Sequence, residues 1–210
     1  MSNIVYEYED QLPGVQGKFD NLPITPGTQK ELDFWYKTTE DQEKAYPKLK
    51  IYWDYINFGD NWTPSGTPWS SAFVSYILRG HDFPKQGAHR NYIKEIIEKK
   101  EGSWAAFSIP KTENLKLEVG NVLIKPRTQD FYATHGDVVY KIEQNKAYLV
   151  GGNVSNTAKI VKIIDVDADG RVTKPLSKYL IVLKKKSSGM KNLWWLSLLA
   201  IGGMALLVKR

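Results

Sequence analysis

The apolar positions change period about halfway along the chain. From Thr28 to about Tyr46 they recur at helical spacing, with Leu32, Trp35 and Tyr36 on one face, and Pro47 is expected to end that helix. A second helical stretch is expected over Ile51 to Phe58, then a loop from Gly59 to Gly66. Pro68 opens a third helix through Trp69–Leu78 and Gly80 closes it, the expected placing of proline and glycine at a helix's two ends. A fourth runs from about Ala88 to Lys100. From Trp104 onward the segments become short and rich in Val, Ile and Tyr, separated by turn residues such as Gln144-Asn145 and Asp169-Gly170. Strands are predicted at Trp104–Ile109, Asn121–Lys125, Gly136–Glu143, Ala147–Val150, Lys159–Val166 and Lys178–Leu183. Helices first and an antiparallel sheet afterwards make an α+β domain.

The two ends follow neither period. Residues 1–27 are rich in Pro, Gly and Asp and are expected to form an irregular arm, with no basic or apolar run of a secretory signal. At the other end, Leu193 to Val208 is uncharged for 16 residues. As a helix it would span roughly 24 Å, a short transmembrane anchor that Lys191, Lys209 and Arg210 extend by snorkelling, with Trp194 and Trp195 at the interface. The expected organisation is an arm (1–27), a folded domain (28–183), a basic linker (184–192) and a membrane helix (193–208).

Charge and composition narrow the function. The net charge of +6 is local: six of the 29 basic residues lie in 184–210, which has no acid, and the other 23 balance 23 acids. A neutral domain without a basic stripe gives nucleic acid no footprint, whereas the basic end suits a lipid bilayer. With no cysteine, thiolate chemistry and cysteine-based zinc sites are excluded. Asp165, Asp167, Asp169 and Gly170 match the opening of an EF-hand loop, but the twelfth position is Leu176 where a glutamate must ligate, so a turn is expected and neither metal nor cofactor.

Three segments carry possible chemistry. Pro68-Trp69-Ser70-Ser71-Ala72-Phe73 puts a hydroxyl in the first turn of a helix, where unpaired N–H groups favour developing negative charge. Thr134-His135-Gly136-Asp137 places a histidine at the head of a strand, with Asp137 on the same face two residues on. Leu149-Val150-Gly151-Gly152-Asn153 ends the next strand in a polar amide. In this order the segments resemble the papain-like CHAP-type superfamily of bacterial wall amidases and peptidases, over roughly Thr28 to Leu183. In particular they are similar to a branch with a Trp-Ser-Ala-Ala-Phe helix and a Gly-Gly-Asn hairpin end.

The resemblance implies a papain-like domain and peptidoglycan as substrate. It implies Ser70 as nucleophile, His135 as base and Asn153 as its orienting partner. His89 and Tyr92, in Ala88-His89-Arg90-Asn91-Tyr92, match a histidine and tyrosine on the following helix of that branch and, with Trp69, are expected near the substrate. Apart from the resemblance, the Trp and Tyr content is expected mainly in the core, with Trp53, Trp62 and Trp69 near the cleft, where aromatic faces could stack on sugars.

The departure is serine for cysteine. A thiol ionises readily beside histidine and a hydroxyl does not. An amide orients a serine's base poorly: in the serine-protease template, Asn for Asp costs about 10⁴ in turnover. The structural alternatives are a helix-capping Ser70, a turn-bound His135 and a turn residue Asn153. The expectation is therefore a membrane-anchored peptidoglycan hydrolase. The alternatives are a non-catalytic wall-binding or structural membrane protein of the same fold and, further off, an acyl-modifying enzyme. The absent signal and the basic side of the anchor suggest a bacteriophage whose virion carries the protein in an internal membrane.

Overall fold

In the computed structural model, residues 12–112, 114–128 and 133–187 are described. Four helices among them precede six strands: α1 (Thr25–Trp35), α2 (Ala45–Tyr55), α3 (Ser70–Ile77) and α4 (His89–Glu98), then β1 (Trp104–Ser108), β2 (Val122–Pro126), β3 (Thr134–Glu143), β4 (Lys146–Gly151), β5 (Lys159–Asp165) and β6 (Ile181–Lys185). The strands form one antiparallel sheet in the order β1-β6-β2-β3-β4-β5. The α+β expectation stands.

The central strands are apolar in continuous runs because both faces of the sheet are covered. Val122, Ile124, Val138, Tyr140, Val150, Ile181 and Leu183 face the helices. Their neighbours Leu123, Val139, Leu149 and Val182 face a second core, which Leu115, Leu117, Val166 and Tyr179 close with help from Val15 and Phe19 of the arm. The side-chain period of two thus sorts adjacent residues into two cores. The arm is therefore part of the fold: Leu12, Leu22 and Ile24 are buried, and Phe19 bridges to Lys186.

Helix α3 is the central helix, packed between α2 and β3. It is buried on every side except at Tyr76, and its three serines are buried with hydrogen-bond partners. Around its start, Trp69 stacks on Trp35 at 4.6 Å and on Tyr52 at 6.0 Å.

Three expectations about the elements change. Pro47 does not end a helix but sits in the first turn of α2, where an amide N–H has no helical acceptor to lose. Lys184 and Lys185 do not belong to a linker but finish β6. Lys184 is 1% exposed, donates to Lys116 O at 2.7 Å and pairs with Glu118. The membrane helix written into the expected architecture, and the membrane location drawn from it, are not found. No helix among the described residues is long and apolar enough to cross a membrane, and the expected span 193–208 lies outside them.

The Lys184–Glu118 pair yields a stability prediction. Glu118→Ala strands a buried ammonium and should cost about 3 kcal/mol, whereas Lys184→Met keeps the volume, removes the charge and should cost much less. Urea unfolding of the two variants distinguishes them.

Candidate functional site

Ser70 is the first residue of α3, not its cap. Trp69 holds the cap position and makes no side-chain cap bond. The Ser70 hydroxyl turns instead to α4, where Oγ lies 2.7 Å from His89 Nε2. One turn along α4, the Tyr92 phenol lies 2.5 Å from the other ring nitrogen, His89 Nδ1. The spacing of three residues on a helix puts these two side chains on one face. Ser70, His89 and Tyr92 therefore form a continuous chain, 4%, 6% and 0% exposed.

Glycine on β3 makes room for it. A Cβ at Gly136 would lie 2.2 Å from the Tyr92 oxygen and 3.1 Å from His89 Nδ1. Gly151 and Gly152 act likewise: a Cβ would meet Asp137 Oδ1 at 2.7 Å from the first and the Phe73 ring of α3 at 2.7 Å from the second.

Burial sets the protonation states. It pushes the His89 imidazole well below its ordinary value, with the charges of His135 and Arg127 acting the same way and Asp137 opposing. Burial also pushes the Tyr92 phenol far up, with Asp137 adding to it. At neutral pH the chain is a neutral imidazole between two hydroxyls. Two proton arrangements satisfy it. In one, Tyr92 donates to Nδ1 and Nε2–H donates to Ser70. In the other, Ser70 donates to Nε2 and Nδ1–H donates to Tyr92. Only the second readies Ser70 to lose its proton.

His135 is the second residue of β3 and its ring lies 5.2 Å from that of His89. Both its nitrogens are engaged. Arg127 Nη2 donates to Nδ1 at 2.8 Å, and because arginine can only donate, the ring proton is on Nε2. Nε2 lies 3.0 Å from Asp137 Oδ1, yet Oδ1 has no well-aligned donor although Asp137 is fully buried. The other carboxylate oxygen, Oδ2, accepts from Lys125 Nζ at 2.5 Å and from the Tyr179 phenol at 2.8 Å. Burial alone would raise the Asp137 carboxyl, but the neighbouring His135 and Lys125 outweigh it and hold it below the usual carboxylate range. Burial, followed by Asp137, raises the Tyr179 phenol well above the usual range.

The structure thus brings Ser70, His89, Tyr92 and His135 together but changes their roles. The hydrogen-bond partner of Ser70 is His89, not His135. The carboxylate beside His135 is Asp137, because same-face neighbours on β3 come within 3.0 Å when the ring folds back along the strand. Asn153 orients no imidazole. It sits in the turn after β4 at φ 53°, and its amide donates to Glu40 Oε2 and accepts from the Trp69 N–H, both at 3.2 Å. Trp69 is a core residue, fully buried, with its indole N–H on Glu40 at 2.6 Å. Trp53 and Trp62 are buried too, and the rings that reach solvent beside them are Tyr46, stacked on Trp62 at 5.0 Å, and Phe58, 4.5 Å from Trp53.

Sequence reasoning missed Lys125, Arg127 and Tyr179. For the first two a signal existed: Lys125 is the cross-strand partner of His135, and Arg127 shares its face two residues on. Tyr179 arrives from a distant loop and gave none. It also lines a hollow of about 480 Å³ with Ile109, Leu115 and Leu176 on the second core's side. The acidic loop is a turn: Asp167 Oδ1 accepts from the N–H groups of Asp169 (2.9 Å) and Arg171 (2.7 Å). Among the described residues no group of three acidic or histidine side chains could hold a metal ion.

Gly136→Ala should drive the Tyr92 phenol off His89 and cost about 1–3 kcal/mol, the usual range for overpacking. Thermal unfolding and the loss of a downfield His89 ring-proton resonance would register it. Stability should also fall with pH in two stages. His89 has a folded value below its unfolded one, so its contribution is complete above about pH 6.5 and declines as pH drops below that and the unfolded chain takes up the proton. Asp137, likewise depressed, contributes above about pH 3.9 and is lost as pH falls through its lower folded value. His89→Gln should remove its share of the first stage and leave the second, as measured by melting temperature across pH 3–8.

Comparison with curated proteins and with solved structures gives no match. A family model described as "Uncharacterized protein conserved in bacteria (DUF2272)" matches residues 33–201. That span contains α2–α4, all six strands and every residue of the site, and on it the chain belongs to this bacterial family.

Proposed function

We propose that the chain is a serine-dependent hydrolase of amide bonds in peptidoglycan, with Ser70 as nucleophile and His89 as its base. The observation that carries the chemistry is the 2.7 Å contact between the Ser70 hydroxyl and the neutral His89 imidazole at the start of α3. Ser70 gives its proton to Nε2 as Oγ attacks the carbonyl, Nδ1–H is held by Tyr92, and the first-turn N–H groups of α3 face the developing oxyanion. The substrate class rests on the similarity of the Ser70, His135 and Gly151-Gly152-Asn153 segments to CHAP-type wall amidases. The proposal retains the nucleophile of that resemblance and moves the base from His135 to His89.

A second reading, a non-catalytic wall-binding protein of this fold, is favoured by the closure of the site. Ser70, His89, His135 and Asp137 are each 6% exposed or less, and a buried polar cluster can serve specificity of folding alone.

Activity on peptidoglycan, read by zymogram and by release of soluble fragments, separates the two. Ser70→Ala should abolish release while costing about 1–3 kcal/mol of stability for the unpaired His89 nitrogen. His89→Gln should lose as much, and the double variant no more than either single one, because the two act on one step. Wild type inactive on peptidoglycan, together with a Ser70→Cys variant that alkylates no faster than a surface thiol, would sink the hydrolase reading and leave the second.

A further inference from the structure

The cation beside His135 has an unusual partner. Arg127, exposed at the end of β2, spends Nη2 on a neutral ring nitrogen, and no carboxylate pairs with it among the described residues. The nearby Asp137 already has Lys125. A carboxylate carries the opposite charge and takes a guanidinium through two parallel hydrogen bonds, a bidentate geometry that a single ring nitrogen does not offer. The same contact leaves a second mismatch. With the ring held by Arg127, Asp137 Oδ1 is buried without an aligned donor although His135 Nε2–H is 3.0 Å away. Two polar groups are thus held short of their best partners by one exposed side chain.

We propose that Arg127 is a carboxylate-binding residue of the Ser70 site, and that an anionic substrate, by drawing it away, lets the His135 ring align with Asp137 and frees Nδ1. This builds on the reading of Ser70 as nucleophile and adds the substrate class: an amide with a free carboxylate near the scissile bond. The charge count supports a monoanion. Among the described residues Lys125 offsets Asp137, leaving one unit of positive charge at Arg127 for the ligand to meet. The ring of His135 lies 5.2 Å from that of His89, so an anion held at Arg127 would lie beside the base of Ser70.

The test uses full-length protein and two probes. In a Ser70→Cys variant, alkylation by iodoacetate and by iodoacetamide is timed against free cysteine. The ratio of iodoacetate to iodoacetamide rates should exceed that of free cysteine, and Arg127→Gln should lower it about tenfold, the loss of one charge-assisted contact. In wild type, sodium acetate titrated against ¹⁵N-labelled protein should shift His135 Nδ1 as its arginine bond is lost, and not in Arg127→Gln. Fast alkylation without anion preference, together with an unmoved Nδ1, overturns the carboxylate site and leaves Ser70 standing. An inert Ser70→Cys with a shifting Nδ1 supports Arg127 and sinks the nucleophile. An inert variant with an unmoved Nδ1 overturns both.

Discussion

Close approach of helices to the β3–β4 hairpin is the constraint on which the site depends. At Gly136, Gly151 and Gly152 a single methyl group would come within 2.2–2.7 Å of Tyr92, Asp137 and Phe73 in turn. The first opening lets the His89–Tyr92 pair lie against β3. The second leaves space over the Asp137 carboxylate and the His135 ring, and the third seats α3 with Ser70 at its head. Three absent side chains, on β3 and at the end of β4, therefore set how closely α3 and α4 lie against the strand that carries His135. The Trp35–Trp69 stack and the Asn153 bond to the Trp69 N–H hold α3 from its other side.

This explains which parts were legible in the sequence. The order of elements was, because the period of apolar residues is a local signal and both faces of the sheet are buried in long Val/Ile/Leu runs. Pro47 misled because proline is a breaker inside a helix and harmless in its first turn, and only the boundary tells which applies. The Gly-Gly-Asn end of β4 was noticed for its asparagine, yet its glycines shape the site and Asn153 serves the backbone of α3. Lys184 looked like linker because three consecutive lysines read as solvated, while Glu118, its partner, is 66 residues away. Pairings of that separation, like Tyr179 with Asp137, leave no trace in local pattern.

The interior around β3 is unusually polar for a two-sided core, and its members compensate one another. Asp137 is stabilised by Lys125, Tyr179 and the neighbouring His135. Glu31 accepts from Tyr52 and Lys48, and Glu40 from the Trp69 indole. Each buried carboxylate thus has at least one directed donor, the condition under which burying charge is tolerable. Such networks hold geometry stiffly, which suits a site built from four side chains on two helices and a strand.

The serine at the head of α3 makes physical sense in these surroundings. A cysteine nucleophile works as a thiolate–imidazolium pair, two full charges held in the resting state. In a position as buried as Ser70 and His89, desolvating both charges would offset much of their attraction. Burial has already driven His89 toward its neutral form, and Lys125 and Arg127 add to that effect. A hydroxyl beside a neutral imidazole carries no charge until a carbonyl arrives, so it rests at no electrostatic cost where a thiolate pair would not. In the proposed reaction, charge would appear only in the reacting state, as imidazolium on His89 and oxyanion at the helix start. Asp137 is the carboxylate whose field favours that imidazolium. A closed, neutral resting site therefore selects oxygen over sulfur, and the residue that looks like the loss of a nucleophile in sequence fits the charge state its surroundings impose.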